Sequence, residues 1–268
     1  MPKEATLGVT TGGAGANGDP QQSGRWFTMA DAYDRMCAVL VPCYDLLQDE
    51  MLRVAAPCDR PLAMADLGAG SGIFIEKALD RCPGSTAYWV DYSSDFLRVA
   101  KRRLARFGER VHFILTPLEE PWDRAIGASL DAVVSMSAIH HLTTNEKPDL
   151  YARCYGLLRP GGWLLNADEM TGPDHAAYVR SLHRWVEHVE EARQRVPAED
   201  MPYCEQWCAH FEGWKQRNIG ALERPKAKGD DIHESYVLQL EWLREIGFVE
   251  VDLLAKFHIW CLIVGRKP

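Results

Sequence analysis

The sequence predicts an α/β fold in which helices cover both faces of a mostly parallel sheet, and three observations predict it. Short, continuously apolar runs alternate with amphipathic stretches from Leu62 onward, as repeated βα units require. A glycine-rich turn stands where the first apolar run gives way to the first helix of that series. Two apolar runs close the chain after a long helical interruption, so the pattern resumes instead of starting a second domain. Seven strands are expected in all.

The elements follow in order. Residues 1–24 are rich in Gly, Thr, Gln and Asn and lack an apolar period, so they read as a disordered tail ahead of a domain spanning 25–268. Within that tail Gly13-Ala14-Gly15-Ala16-Asn17-Gly18 has the GxGxxG spacing of a dinucleotide site. No strand precedes it and no amphipathic helix follows, so the context that gives the motif its mechanism is missing. From Trp26 to about Cys58 the apolar spacing is helical, with Phe27, Met29, Tyr33 and Met36 in the first part, and Pro42 divides it into two helices that form an N-terminal cover. Leu62–Leu67, Ala87–Val90, Val111–Leu115 and Ala132–Ser135 are the first four strands, with helices at Gly72–Leu79 and Ser94–Phe107 between them. A helix from about Asn145 to Leu158 stops at Pro160-Gly161-Gly162, and Trp163–Ala167 is the fifth strand. Residues 172–229 form a helical insertion that carries Tyr178, Trp185, Tyr203, Trp207, Phe211 and Trp214. A helix around Val237–Ile246 with Gly247 as its C-cap leads to the last strands, Val249–Leu254 and His258–Val264.

Composition narrows the partners. The chain has 268 residues, 47% hydrophobic and 25% charged, with a formal net charge of -8. A polyanion binder gains affinity from a basic face, so nucleic acid is not expected, and Lys101-Arg102-Arg103 reads as the solvated side of a helix. No apolar run approaches the ~20 residues that span a bilayer, and no basic start leads into an apolar stretch. Cys37, Cys43, Cys58, Cys82, Cys154, Cys204, Cys208 and Cys261 are scattered, several in apolar segments, which fits reduced thiols and a cytoplasmic location.

Ala65-Asp66-Leu67-Gly68-Ala69-Gly70-Ser71-Gly72 carries the chemistry. Glycines at a strand-to-helix turn let the backbone approach a ligand, and the helix start offers unpaired N–H groups. The spacing is GxGxG, one residue tighter than the dinucleotide pattern. Asp91 ends the second strand about 20 residues on, where an acid can accept hydrogen bonds from ribose hydroxyls. Together they point to an adenosine-type ligand. The plain alternatives are a tight turn without a ligand and a helix cap at Asp91.

These segments resemble the motifs of the class I S-adenosylmethionine-dependent methyltransferases. Asp66–Gly72 is similar to their first motif, Val90-Asp91-Tyr92-Ser93 to the second, Asp131–Ser135 through His140-His141-Leu142 to the fourth-strand motif, and Leu158–Gly162 to the turn before strand five. The resemblance implies a Rossmann-like sheet and S-adenosyl-L-methionine as cofactor. It implies that Asp66, Gly68, Ala69 and Gly70 lie by the methionine part, that Asp91 holds the ribose, and that Tyr92 flanks the adenine. Pro117 and Leu118 would sit at the adenine edge, where Thr116 replaces the acid many relatives carry, and Ser135 would offer its carbonyl to the methionine amine. The flanks, Phe27–Tyr33, Val41–Tyr44 and Leu240–Phe248, resemble the branch that includes carboxy-S-adenosylmethionine synthase. The glycine motif and His140-His141 depart from that enzyme.

Methyl transfer from a sulfonium asks the protein to align a nucleophile, exclude water and, for a hydroxyl, amine or acidic carbon, supply a base. His140 and His141, past the fourth strand, are candidate catalytic residues, with one of the two facing the site; the alternative is that they cap or pack the next helix. Glu169, past the fifth strand, is a third candidate base, or else a solvated loop acid. The aromatic insertion is read as a lid over an apolar chamber, or as its own core. Cys204, Cys208 and His210 could suggest a metal site, and the two cysteines share a helix face, but no second pair of ligands is evident, so no metal is expected. His183, His188, His233 and His258 receive no role. The expected function is methylation of an O, N or C atom of a small-molecule acceptor, in secondary metabolism. The alternatives are a tRNA- or cofactor-modifying relative of the carboxy-S-adenosylmethionine branch, and a non-catalytic S-adenosylmethionine-binding regulator.

Overall fold

The computed structural model describes residues 29–56 and 60–268. The expected tail over 1–24, the Gly13–Gly18 motif, Trp26, Phe27 and Cys58 lie outside the described residues.

Seven strands form one sheet in the order β3-β2-β1-β4-β5-β7-β6. They are β1 (Ala63–Leu67), β2 (Thr86–Asp91), β3 (Val111–Leu115), β4 (Leu130–Met136), β5 (Leu158–Glu169), β6 (Val249–Phe257) and β7 (Trp260–Arg266). The first five pair in parallel, and β7 runs antiparallel to both β5 and β6. The strand order turns back between β1 and β4. At such a switch point the crossovers leave on opposite faces and open a crevice at the carboxyl ends of the strands. The glycine turn after β1 and the histidines after β4 meet at that crevice.

The helices are α1 (Ala30–Leu40), α2 (Tyr44–Ala55), α3 (Ile73–Arg81), α4 (Ser94–Leu104), α5 (Glu146–Leu157), α6 (His175–Arg193), α7 (Met201–Lys215) and α8 (Tyr236–Ile246). Two cores sandwich the sheet. Met64, Trp89, Val134 and Leu165 face the layer built by α1 to α4 with α6 and α7. Ala65, Val90, Val133 and Leu164, one residue out of phase, face α5 and α8.

Several boundaries differ from expectation for identifiable reasons. Strand β5 begins at Leu158, so Pro160-Gly161-Gly162 lies inside it and α5 stops at Leu157. A Cβ on Gly162 would come within 3.0 Å of the Leu130 carbonyl, and its absence lets β5 close on β4. The final hairpin turns at His258, whose φ is 58°, so β7 starts at Trp260 instead of His258. Helix α4 ends at Leu104 in a 3-10 segment that breaks at Gly108.

Between β5 and α8 the chain is helical over His175–Arg193, Met201–Lys215 and Gln216–Gly220, and the segment 221–235 that follows is not, so the expected helical insertion ends before 229. Trp185 of α6 packs edge-on against Phe211, Trp214 and Trp260 with ring centroids 4.9, 4.4 and 5.3 Å away. Phe211 stacks on Trp207 and Trp214. Trp185, Trp207 and Phe211 are therefore the insertion's own core, sealed to β7. Trp214 alone among the buried tryptophans of the insertion also bonds an acid at the end of β5.

Candidate active site

The glycine turn is held from beneath. Gly68 and Ala69 donate to the Val90 carbonyl at 2.8 and 3.1 Å, and Gly68, Gly70 and Gly72 have φ of 68, 51 and 80°. The first two glycines serve different ends. A Cβ on Gly68 would lie 2.2 Å from that of Ala138, so this glycine allows β1 and β4 to meet. A Cβ on Gly70 would meet Phe96 at 3.9 Å and the Gly68 carbonyl at 4.0 Å, ordinary van der Waals contact, so nothing crowds the backbone there.

Asp91 closes the turn. Its Oδ2 accepts from Gly70 N–H at 2.9 Å and its Oδ1 from Ser93 N–H at 2.8 Å. Burial pushes the carboxyl up to about 6, against the pull of these backbone donors. It is not the helix cap, because Ser93 Oγ accepts from Phe96 N–H and caps α4. Asp66 is buried, and desolvation with the nearby Asp91 charge raises it to about 8. Tyr92 and Pro117 are exposed at the rim, Leu118 is buried under the same edge, and Thr116 N–H donates to the Asp91 carbonyl. Ser135 is fully buried and its Oγ donates to the Leu67 carbonyl, tying β4 to β1.

The second half of the site gathers at the ends of β4 and β5. His140 sits in a 3-10 turn, Ile139–His141, and meets Asp168 twice. Its Nδ1 donates to Oδ1 at 2.6 Å and its backbone N–H donates to Oδ2 at 2.8 Å. The two side chains are 4% and 2% exposed. Burial pulls this imidazole down, but Asp168, Glu169 and Asp231 reverse that and push it up to about 9. Its Nε2 points toward Asp231 Oδ1, 3.9 Å away, which also lies 3.7 Å from His141 Nδ1. Arg217 and Asn218 donate to Asp231 Oδ2 at 3.0 and 2.8 Å. His141 is 42% exposed. Neither histidine caps α5.

Glu169 is not a solvated loop acid. It is buried, and its Oε2 accepts from Trp214 Nε1 at 2.9 Å and lies 2.8 Å from His233 Nε2. His233 Nδ1 in turn bonds the Tyr178 hydroxyl at 2.8 Å. Adjacent acids of β5 thus each hold one imidazole, and the rings of His140 and His233 meet edge-on, 6.0 Å apart. A cavity of about 210 Å³ lined by Met170, Tyr178 and Tyr236 lies on the far side of Tyr178, the residue that bonds His233.

The structure therefore brings His140 and Glu169 together, and leaves His141 at the surface side. It adds residues that the sequence did not mark. Asp231 and His233 come from the segment before α8, and Tyr33 of α1 reaches Ser137 while meeting Phe96 edge-on. Asp230-Asp231-Ile232-His233 is a polar run just before a helix, the one local signal that could have drawn attention. Lys147, fully buried, donates to the Ile232 carbonyl at 2.7 Å and Ile232 N–H donates to His140 O at 2.8 Å, which fixes that segment against the site.

Cys204 and Cys208 lie with their sulfurs 3.9 Å apart on α7, away from this network. Among the described residues, the trio whose ligand atoms lie within 4.8 Å of one another is instead His140, His141 and Asp231. Arg217 and Asn218 already occupy Asp231 Oδ2. No helix among the described residues is long and apolar enough to cross a membrane.

Comparison with known proteins agrees with this geometry. Residues 65–164 match the family model described as a methyltransferase domain. A non-reducing polyketide synthase of Macrophomina phaseolina is 32% identical over 132 residues, 46% of this chain and 6% of its own. An uncharacterized methyltransferase of Mycobacterium bovis is 34% identical over 122 residues, covering 45% of this chain and 55% of its own. The chain thus spans little more than half the length even of the second relative. Among solved structures, human N-acetylserotonin methyltransferase in complex with S-adenosylmethionine superposes with a TM-score of 0.54 at 16% identity, covering 93% of this chain and 59% of that one. Residues 65–164 thus match a methyltransferase domain, within a seven-stranded fold like that of the solved S-adenosylmethionine-dependent methyltransferase.

The residues fit that cofactor. Gly70 is uncrowded at the strand end, Asp91 offers a carboxylate that can accept further hydrogen bonds beside those from the backbone, and Tyr92 lies exposed beside it. Bound there, S-adenosylmethionine would supply a methyl group on a sulfonium.

Proposed function

We propose that the protein methylates an oxygen atom of a small-molecule acceptor, with His140 as the base. The buried His140–Asp168 pair at the switch point carries this reading. Asp168 fixes the ring through Nδ1 and the main chain through N–H, so the unprotonated form carries its lone pair on Nε2, the nitrogen on the Asp231 side. A base near 9 matches a phenol or enol hydroxyl, whose proton transfers to it with little uphill cost; an alkyl hydroxyl is far more basic once ionised. Glu169, held by Trp214 and close to His233, lies beside the base, and Tyr33 reaches Ser137 after β4.

The cofactor-side roles are proposed with it. Asp66, Gly68, Ala69 and Gly70 border the methionine part, Asp91 holds the ribose, Tyr92, Pro117 and Leu118 flank the adenine, and the Ser135 carbonyl faces the amine. The acidic net charge and the names of the relatives, one a polyketide synthase and one an N-acetylserotonin methyltransferase, support a small acceptor over a nucleic acid.

The test is transfer of isotope-labelled methyl from S-adenosylmethionine to a panel of phenols, enols, amines and thiols. Label on oxygen, lost about 100-fold or more in His140→Ala, is the expected result. Label on nitrogen or carbon with His140 dispensable would overturn the oxygen reading.

A further inference from the structure

Methylation of a hydroxyl releases one proton per turnover. The oxygen lone pair forms the new bond to carbon, the carbon–sulfur pair returns to sulfur, and the O–H pair stays on oxygen. The proton goes to His140 Nε2 on the reading above, on which this inference rests. A buried imidazolium must then lose that proton before the next cycle.

His140 has few ways to do so. Its Nδ1 is closed by Asp168, its ring is 4% exposed, and the His233 ring seals another side. We propose that Asp231 and His141 form the exit: the proton passes from His140 Nε2 across Asp231 Oδ1 to His141 Nδ1, and from there to solvent.

The arrangement suits that task. Arg217 and Asn218 occupy Asp231 Oδ2 and turn Oδ1 toward both imidazoles, 3.9 and 3.7 Å from them. These gaps exceed hydrogen-bond length by about 1 Å, which a small turn of the exposed His141 ring or one bridging water closes. The two rings lie close together and tilted at 54°, with centroids 4.0 Å apart. The groups facing His140 are Asp168 and Glu169 from β5, His141 beside it, Asp231 and His233 from the segment before α8, and Arg217 from the end of α7. Three acids, two of them flanking β5 residues and one shared with His141, leave a single acid on the solvent side. Exposure falls in the order the path requires: His140 and Asp231 are 4% exposed and His141 is 42%.

The experiment follows exchange of the His140 Nε2 proton with water by ¹⁵N–¹H NMR on histidine-labelled, full-length protein with S-adenosylhomocysteine added. His141→Ala is the main variant, because its exposed side chain is the least needed for folding. Exchange slowed tenfold or more, and restored by added imidazole that enters the vacated space, is the expected result. Asp231→Asn should slow exchange as well, without rescue. Unchanged exchange in His141→Ala would overturn the path, as would histidine signals that shift on adding a chelator, since a bound cation would then occupy the trio. The readout needs no acceptor, so its failure is separable from failure of His140→Ala to affect methylation.

Discussion

His140 and Asp168 are joined by two hydrogen bonds, one from the imidazole and one from the main chain, to the two oxygens of a single buried carboxylate. The ring of a histidine held this way cannot flip without breaking a buried charge-assisted bond, so its free nitrogen has a fixed direction. Asp168→Asn should keep the fold and the cofactor affinity while lowering kcat about 100-fold, because the amide can neither fix the tautomer nor stabilise the imidazolium. Steady-state kinetics with an acceptor from the panel, beside a cofactor titration, checks the split between kcat and binding.

The same pair sets a pH dependence. His140 is raised to about 9, so its basic form accumulates as pH rises, and kcat/KM should climb with near unit slope to a plateau above about 9. In Asp168→Asn the limb should move to lower pH. Stability runs the other way. A histidine raised in the folded state contributes stability that is complete below the unfolded value near 6.5 and is lost as pH rises through about 9. Thermal midpoints measured across that window should therefore fall, and fall less in His140→Gln.

Asp91 predicts a dependence at the opposite end of the scale. Burial places it at about 6, and its ionised form accepts the hydrogen bonds. S-adenosylhomocysteine should bind more weakly as pH drops through 6, and Asp91→Asn should bind it about 10- to 100-fold more weakly at pH 7.5, the worth of a hydrogen bond to a charged group. Calorimetry at several pH values reads both effects.

Gly68 and Gly70 differ in what a methyl group would meet, although both have positive φ. Gly68→Ala would drive a Cβ to 2.2 Å from Ala138, so loss of folding stability beyond the ~1–2 kcal/mol of a left-handed alanine is expected. Gly70→Ala should incur only the conformational cost, yet lose cofactor affinity, because its Cβ enters the space the ligand would use. Denaturant midpoints and cofactor titrations on the two variants test the contrast.

The βα rhythm made the sheet legible in the sequence, because parallel strands buried on both faces must be continuously apolar. Val133-Val134 and Ile263-Val264 could face nothing else. The glycine turn and Asp91 were legible because their spacing follows from how a strand end faces a ligand. Asp231 and His233 were not. They reach the site across about 90 residues from His140, through a segment fixed by the Ile232 main chain and buried Lys147, and no local period encodes that contact. Glu169 was visible as an acid at a strand end, but its burial depends on Trp214, which the sequence could equally have placed in a core or a lid. The strand through Pro160-Gly161-Gly162 was missed because those residues signal a turn unless the neighbouring strand is known to need a position without a Cβ.

The most direct test is calorimetric titration of the purified protein with S-adenosylhomocysteine, beside Asp91→Ala. The geometry predicts one equivalent bound per chain with micromolar affinity in the wild type and little or no binding in the variant. No binding in the folded wild type would contradict the cofactor site, and with it the methyl transfer that rests on it.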